Sequence, residues 1–185
     1  MPIEYIQHPL VVPSSIERRV YQERIVESCL KHNTLVCLPT GLGKSLVAVL
    51  VIAERLRQFP QGRAIMMAPT RPLVLQHYET FRRTLMLDSS QIIALTGENP
   101  PEERGRLWNR RLVLATPQVL TNDLLSNEVN LDHVVVTVFD EAHRAIGDYP
   151  YTFIASKCAE VSGLLVLAMT ASPGSSREAI DEVCK

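Results

Sequence analysis

The sequence predicts a doubly wound α/β domain, a mostly parallel sheet with helices on both faces, and three observations lead there. Six short runs rich in apolar and β-branched residues recur at 34–38, 63–68, 91–96, 111–115, 133–139 and 163–169. They are apolar along their length rather than alternating, as strands buried on both faces are. Between them stand segments with helical spacing, and the resulting βαβα order calls for parallel strands joined by helical crossovers.

The elements follow in order. Run 34–38 opens through a glycine-containing turn into a helix over 44–58, where Leu46, Val47, Leu50, Val51 and Ala53 share an inward face. Run 63–68 precedes a helix over 72–85, and run 91–96 adds another strand. Run 111–115 leads into a helix over 117–126, run 133–139 is followed by a helix over 151–160, and run 163–169 supplies the last strand. Ser-Ser pairs near positions 14, 89 and 175 read as loop or helix-start signals, and the stretch 175–185 is left for a terminal helix. The chain has no internal repeat.

With 185 residues, 46% hydrophobic and 21% charged, the chain fits one folded domain with an ordinary core. Nineteen basic residues stand against twenty acidic ones, a net charge of -1, so no global field draws the chain to nucleic acid or to an anionic membrane. Any nucleic-acid contact must then be local. Cys29, Cys37, Cys158 and Cys184 form no CxxC pair, and buried reduced thiols are the expectation, which points to an intracellular, cytoplasmic protein. The first twelve residues lack a basic start followed by an apolar stretch, and no apolar run is long enough for a bilayer, so no membrane partner is expected.

In parallel sheets ligands bind beyond the carboxyl ends of the strands. There the first run gives Leu38-Pro39-Thr40-Gly41-Leu42-Gly43-Lys44-Ser45. Gly41 and Gly43 let the backbone curl so that successive N–H groups face an anion, and the following helix adds its positive end. Lys44 is expected to neutralise the β- and γ-phosphates of ATP, and the Ser45 hydroxyl to coordinate magnesium (Mg). The general motif has Gly where this chain has Leu38, so the loop is a variant. The fifth run ends in Asp140-Glu141-Ala142-His143. Asp140 suits magnesium through water, and Glu141 suits the orientation and deprotonation of an attacking water. Lone Asp-Glu pairs are usually solvated helix starts, and the phosphate loop reverses that preference. Thr70, Thr96 and Thr116 each follow a strand, so their hydroxyls and neighbouring N–H groups fall at one sheet edge and suit phosphates of a single strand without reading bases. Trp108, near Arg104, Arg106, Arg110 and Arg111, reads as a core anchor before a DNA contact.

Together these blocks resemble the superfamily 2 DEAH-type helicases. The resemblance covers nearly the whole chain, and it implies a RecA-like P-loop domain. Arg19-Val20-Tyr21-Gln22 resembles the adenine-reading element, which implies that Arg19 stacks on the base and Gln22 bonds its edge. Pro69-Thr70-Arg71-Pro72, Thr96-Gly97 and Thr116-Pro117-Gln118 resemble the motifs that hold one nucleic-acid strand. Thr170-Ala171-Ser172 resembles the segment that couples hydrolysis to domain movement, with His143 as its counterpart. The stretches 33–44, 95–98 with Trp108, 115–118, 139–149 and 170–175 are similar to the family of archaeal Hef helicase-nucleases and Fanconi anaemia group M translocases. That resemblance implies action on single-stranded or forked DNA, an archaeal source, or the nucleus if the source is eukaryotic. It also implies a second RecA-like domain, in cis or in trans, to complete the motor. An RNA-directed relative, Dicer-like or RNA-sensing, and a nucleotide-gated module without catalysis remain the alternatives.

Overall fold

Six parallel strands pair in the order β1-β6-β5-β2-β4-β3, in a computed structural model that describes residues 3–172 and 180–181. The strands are β1 (Thr34–Cys37), β2 (Arg63–Met67), β3 (Ile92–Leu95), β4 (Leu112–Ala115), β5 (Val134–Phe139) and β6 (Leu165–Thr170). Each lies within two residues of its expected bounds, and every ladder between them is parallel. Cys184, the stretch 173–175 and the expected terminal helix, apart from residues 180 and 181, lie outside the described residues.

Period-two alternation divides the strands between two cores. Ala64, Met66, Leu112 and Leu114 face one, and Ile65, Met67, Val113 and Ala115 the other. The first core is covered by α2 (Lys44–Gln58), α3 (Arg71–Thr84) and, outside α2, α1 (Val20–Lys31). The second is covered by α5 (Pro117–Leu125) and α6 (Pro150–Ala159), with Trp108 just beyond α4 (Pro101–Leu107). Four helices carry Pro at their first or second position, where the ring presets φ and the missing N–H costs nothing.

Helix α1 has no counterpart in the sequence prediction. Its segment is rich in charge, and only Ile25, Val26, Cys29 and Leu30 mark an apolar stripe, at the i, i+1, i+4, i+5 spacing that could have revealed it. Its presence changes α2: residues 47–53 are all buried, so Ala48, Val49 and Ile52 join the expected inward residues while Leu46 is half-buried.

The cysteine expectation needs one correction. Cys29 and Cys158 are buried, but Cys37 is exposed, because Val36 turns into the core and alternation sends its neighbour to the other face of an edge strand. No helix among the described residues is long and apolar enough to cross a membrane.

Because all strands run the same way, their carboxyl ends share one edge. Strand order then divides that edge: β1, β6 and β5 end in the phosphate loop, the Thr170 segment and Asp140-Glu141, whereas β2, β4 and β3 end in the Thr70, Thr116 and Thr96 loops.

Candidate nucleotide and nucleic-acid site

The phosphate loop is held from two sides. Leu38 continues the β1–β6 ladder, its N–H donating to Thr170 O at 3.1 Å, so this position needs no glycine. Its carbonyl accepts from Lys44 Nζ at 2.9 Å, which keeps the ammonium at the mouth of the loop. Gly41 and Gly43 adopt left-handed φ of 86° and 79°, and Gly43 is the N-cap of α2. On the outer side α1 grips the loop: Tyr21 Oη donates to Leu42 O at 3.0 Å and Gln22 Nε2 to the same oxygen at 3.3 Å. Gln22 is buried, whereas Arg19, at the N-cap of α1, is exposed. Tyr21 joins the expected residues as a support of the loop, and its place beside Gln22 is the signal in the sequence.

A Cβ on Gly43 would collide with Gln22 Nε2, whereas one on Gly41 would meet nothing within 4 Å. Both substitutions carry left-handed strain of about 1–2 kcal/mol. Gly43→Ala also displaces the amide end of Gln22 and is therefore expected to weaken ATP binding more than Gly41→Ala, with one calorimetric titration series comparing them. Equal losses would mean that Gln22 does not support the loop.

Asp140 is clamped from both faces of the sheet and from β2. Its N–H donates to Met67 O at 2.9 Å, and its carbonyl accepts from Tyr151 Oη of α6 at 2.7 Å. Burial pushes the Tyr151 hydroxyl well above the usual phenol range, so it stays a donor. From the other face, His77 of α3 donates from Nε2 to Asp140 Oδ2 at 2.7 Å, with both side chains buried. No hydrogen bond from a described residue reaches Oδ1. The next residue, Glu141, has a left-handed φ of 53°, a conformation that non-glycine residues keep only where the surroundings enforce it. Its side chain is 30% exposed, so water reaches the carboxylate.

The three residues expected to couple hydrolysis to domain movement meet. His143, in the 3-10 turn Ala142–Arg144 that follows Glu141, places Nδ1 3.0 Å from Thr170 Oγ1 and 3.3 Å from Glu141 Oε2. Ser172 N–H donates to the same Thr170 hydroxyl at 3.2 Å. Thr170 is buried at the end of β6, so the coupling segment and the acidic pair touch across adjacent strands.

The strand-end loops of the other half also meet. Arg71, first in α3, pairs with Glu98 of the Thr96-Gly97 loop at 2.7 Å, and both side chains are exposed. Pro69 is half-buried, and Thr70, Gly97 and Gln118 are exposed. Thr116 stands half-buried at the N-cap position of α5 without a side-chain cap bond, and Pro117 is buried. Thr96 differs from the expectation of a displayed hydroxyl: it is buried, and its Oγ1 accepts from Glu98 N–H within the turn. A buried network underlies these loops. Arg104 forks onto Asp123 at 2.6 and 2.8 Å, Trp108 Nε1 donates to the same carboxylate at 2.7 Å, and Arg104 Nη1 donates to Asn99 O. Trp108 is thus the expected core anchor, and Arg104 belongs to it. Arg111 donates to the Leu56, Phe59 and Gly62 carbonyls near the end of α2.

The fold family implies magnesium, and the donor chemistry fits. Asp140 offers a carboxylate oxygen not engaged by His77 and Ser45 a hydroxyl, both hard donors of the kind magnesium takes together with phosphate and water.

A parallel sheet with a phosphate loop after its edge strand and clamped acids after an inner one is a RecA-like P-loop domain. Comparison with known proteins gives the family. A profile of DEAD/DEAH box helicases matches residues 19–180, and the chain belongs to that family. It is 41% identical over 182 residues to a Methanocaldococcus jannaschii protein named as an ATP-dependent RNA helicase, covering 98% of this chain and 23% of that one. Against the Drosophila melanogaster DEAD-box ATP-dependent DNA helicase Fancm it is 39% identical over 184 residues, 96% of this chain and 12% of that one. The crystal structure of the Pyrococcus furiosus Hef helicase domain superposes with a TM-score of 0.86 at 49% identity, over 90% of this chain and 36% of that one. The chain thus spans a minor part of each relative's length.

Proposed function

We propose that this chain is the ATP-binding motor domain of a DNA helicase or translocase, which hydrolyses ATP while holding one DNA strand. The observation that carries the reading is the strand order, which separates nucleotide chemistry on β1, β6 and β5 from the phosphate-suited loops on β2, β4 and β3. Residues 38–45 bind the phosphates, with Lys44 supplying positive charge and the backbone N–H groups the cradle. Gln22 pairs with the adenine edge and Arg19 lies against the base. Ser45 and Asp140 hold the magnesium ion, which neutralises charge developing on the phosphates. Glu141 takes the proton of the attacking water, and the change at Glu141 reaches Thr170 and Ser172 through His143. Pro69, Thr70, Arg71, Thr96, Gly97, Thr116, Pro117 and Gln118 line the strand path. A second RecA-like domain completes the motor across the cleft, supplying the arginine that a single domain lacks.

The relatives' names divide between RNA and DNA helicases, and the resemblance to Hef and Fanconi anaemia group M proteins favours forked DNA. The isolated domain is expected to hydrolyse ATP only very slowly, so the test is ATP hydrolysis by the enzyme completed with its second RecA-like domain, with single-stranded DNA, forked DNA or double-stranded RNA, and GTP in place of ATP as a further arm. DNA is expected to stimulate and RNA not to, with ATP preferred over GTP. Stronger stimulation by RNA would transfer the reading to the RNA-directed class, and equal use of GTP would remove the adenine role of Gln22.

A further inference from the structure

We propose that His77 is a positioning residue that holds the magnesium carboxylate Asp140 and links it to the strand-gripping end of α3. The inference rests on the nucleotide and strand sites proposed above. His77 occupies the inward stripe of α3 between Val74 and Phe81, both fully buried, and is itself 6% exposed. Packing alone calls for an apolar side chain there, because a buried imidazole loses water on both nitrogens and must find a partner. The partner it finds is a carboxylate at the end of a strand that α3 does not directly follow, β5, with Nε2 2.7 Å from Oδ2.

Two consequences follow. Without that hydrogen bond no described residue hydrogen-bonds the Asp140 carboxylate to fix its orientation, although its backbone stays fixed by Met67 and Tyr151. With it, one oxygen is committed and the other is left for a ligand, which is how outer-shell donors orient metal-binding carboxylates. The helix that carries the donor also begins at Thr70 and Arg71, and His77 stands six residues along it from Arg71, roughly 9 Å of helix rise. Arg71 in turn pairs with Glu98 at the exposed start of α3, so a strand phosphate that engages the Arg71 guanidinium acts on the same helix that sets the carboxylate. The histidine gave no signal in sequence, since it lies outside every motif and only the packing of α3 beside β5 brings it to Asp140.

The experiment titrates magnesium against binding of a fluorescent ATP analogue to the full chain, with and without single-stranded DNA, for wild type, His77→Leu and His77→Gln. His77→Leu should need roughly tenfold more magnesium for half-maximal tightening, the scale of outer-shell losses, with unchanged affinity in EDTA. His77→Gln, which keeps an N–H donor, should return toward wild type. DNA should lower the magnesium midpoint for wild type and His77→Gln and leave His77→Leu unmoved. A His77→Leu midpoint equal to wild type overturns the positioning role. A DNA shift that is absent from wild type or equal in all three overturns the link. Should His77→Leu melt near the working temperature, His77→Asn replaces it, since its shorter amide falls short of Asp140, and a wild-type midpoint there is equally fatal. Wild type that fails to bind the analogue at any magnesium concentration would instead remove the nucleotide site itself.

Discussion

Replacing Glu141 with Gln in the enzyme completed by its second RecA-like domain is expected to lower ATP turnover by about 10²–10⁴-fold while leaving ATP affinity nearly unchanged, because a general base acts only as the transition state forms. The substitution is isosteric and keeps the left-handed backbone at this position, where φ is 53°. What changes is the capacity to accept a proton from water reaching a side chain that is 30% exposed. The measurement pairs steady-state hydrolysis at saturating ATP with equilibrium binding of the nucleotide. Turnover within a few-fold of wild type would assign the base elsewhere. A matching fall in affinity would instead mean that Glu141 shapes the ground-state site.

Asp123→Ala should cost the fold on the order of 3–5 kcal/mol, the scale expected when one partner of a buried ion pair is removed. Its carboxylate receives three hydrogen bonds, two from Arg104 and one from Trp108 Nε1, all at 2.6–2.8 Å. Alanine would leave the Arg104 guanidinium with only its bond to the Asn99 carbonyl and the buried Trp108 indole N–H with no carboxylate to receive it. Thermal unfolding reads the effect, as a fall of roughly 6–20 °C for a chain of this size. Asp123→Asn, which retains an acceptor for the indole, should lose less. The damage should extend to function, because Arg104 also holds Asn99, whose Oδ1 accepts from Thr96 N–H. Wild-type melting of Asp123→Ala would show that the network contributes no net stability.

Much of this protein can be read along the chain. Strands β1 to β6 sit within two residues of their apolar runs, because a strand covered on both faces has few exposed positions to interrupt the pattern. The phosphate loop and Asp140-Glu141 were legible for a related reason: their chemistry needs glycines, a lysine and acids at fixed spacings, which survive in linear order. Helix α1 is hard to read along the chain because it carries charges and only a thin apolar stripe, which packs beside α2 at the margin of the first core.

The sequence by itself therefore determined the fold class, the phosphate loop and the acidic pair, all of which depend on residues near one another in the chain. The tertiary structure alone decided which strand ends lie side by side, since order in a parallel sheet is set by crossovers and not by strand composition. It placed β6 between β1 and β5, which brings His143 to Thr170. It also decided the fate of the buried polar groups, where Gln22, Arg104, Asp123 and His77 each needed a partner remote in sequence. An unpaired polar group in a dry interior is expensive, and only packing selects which distant group relieves the cost.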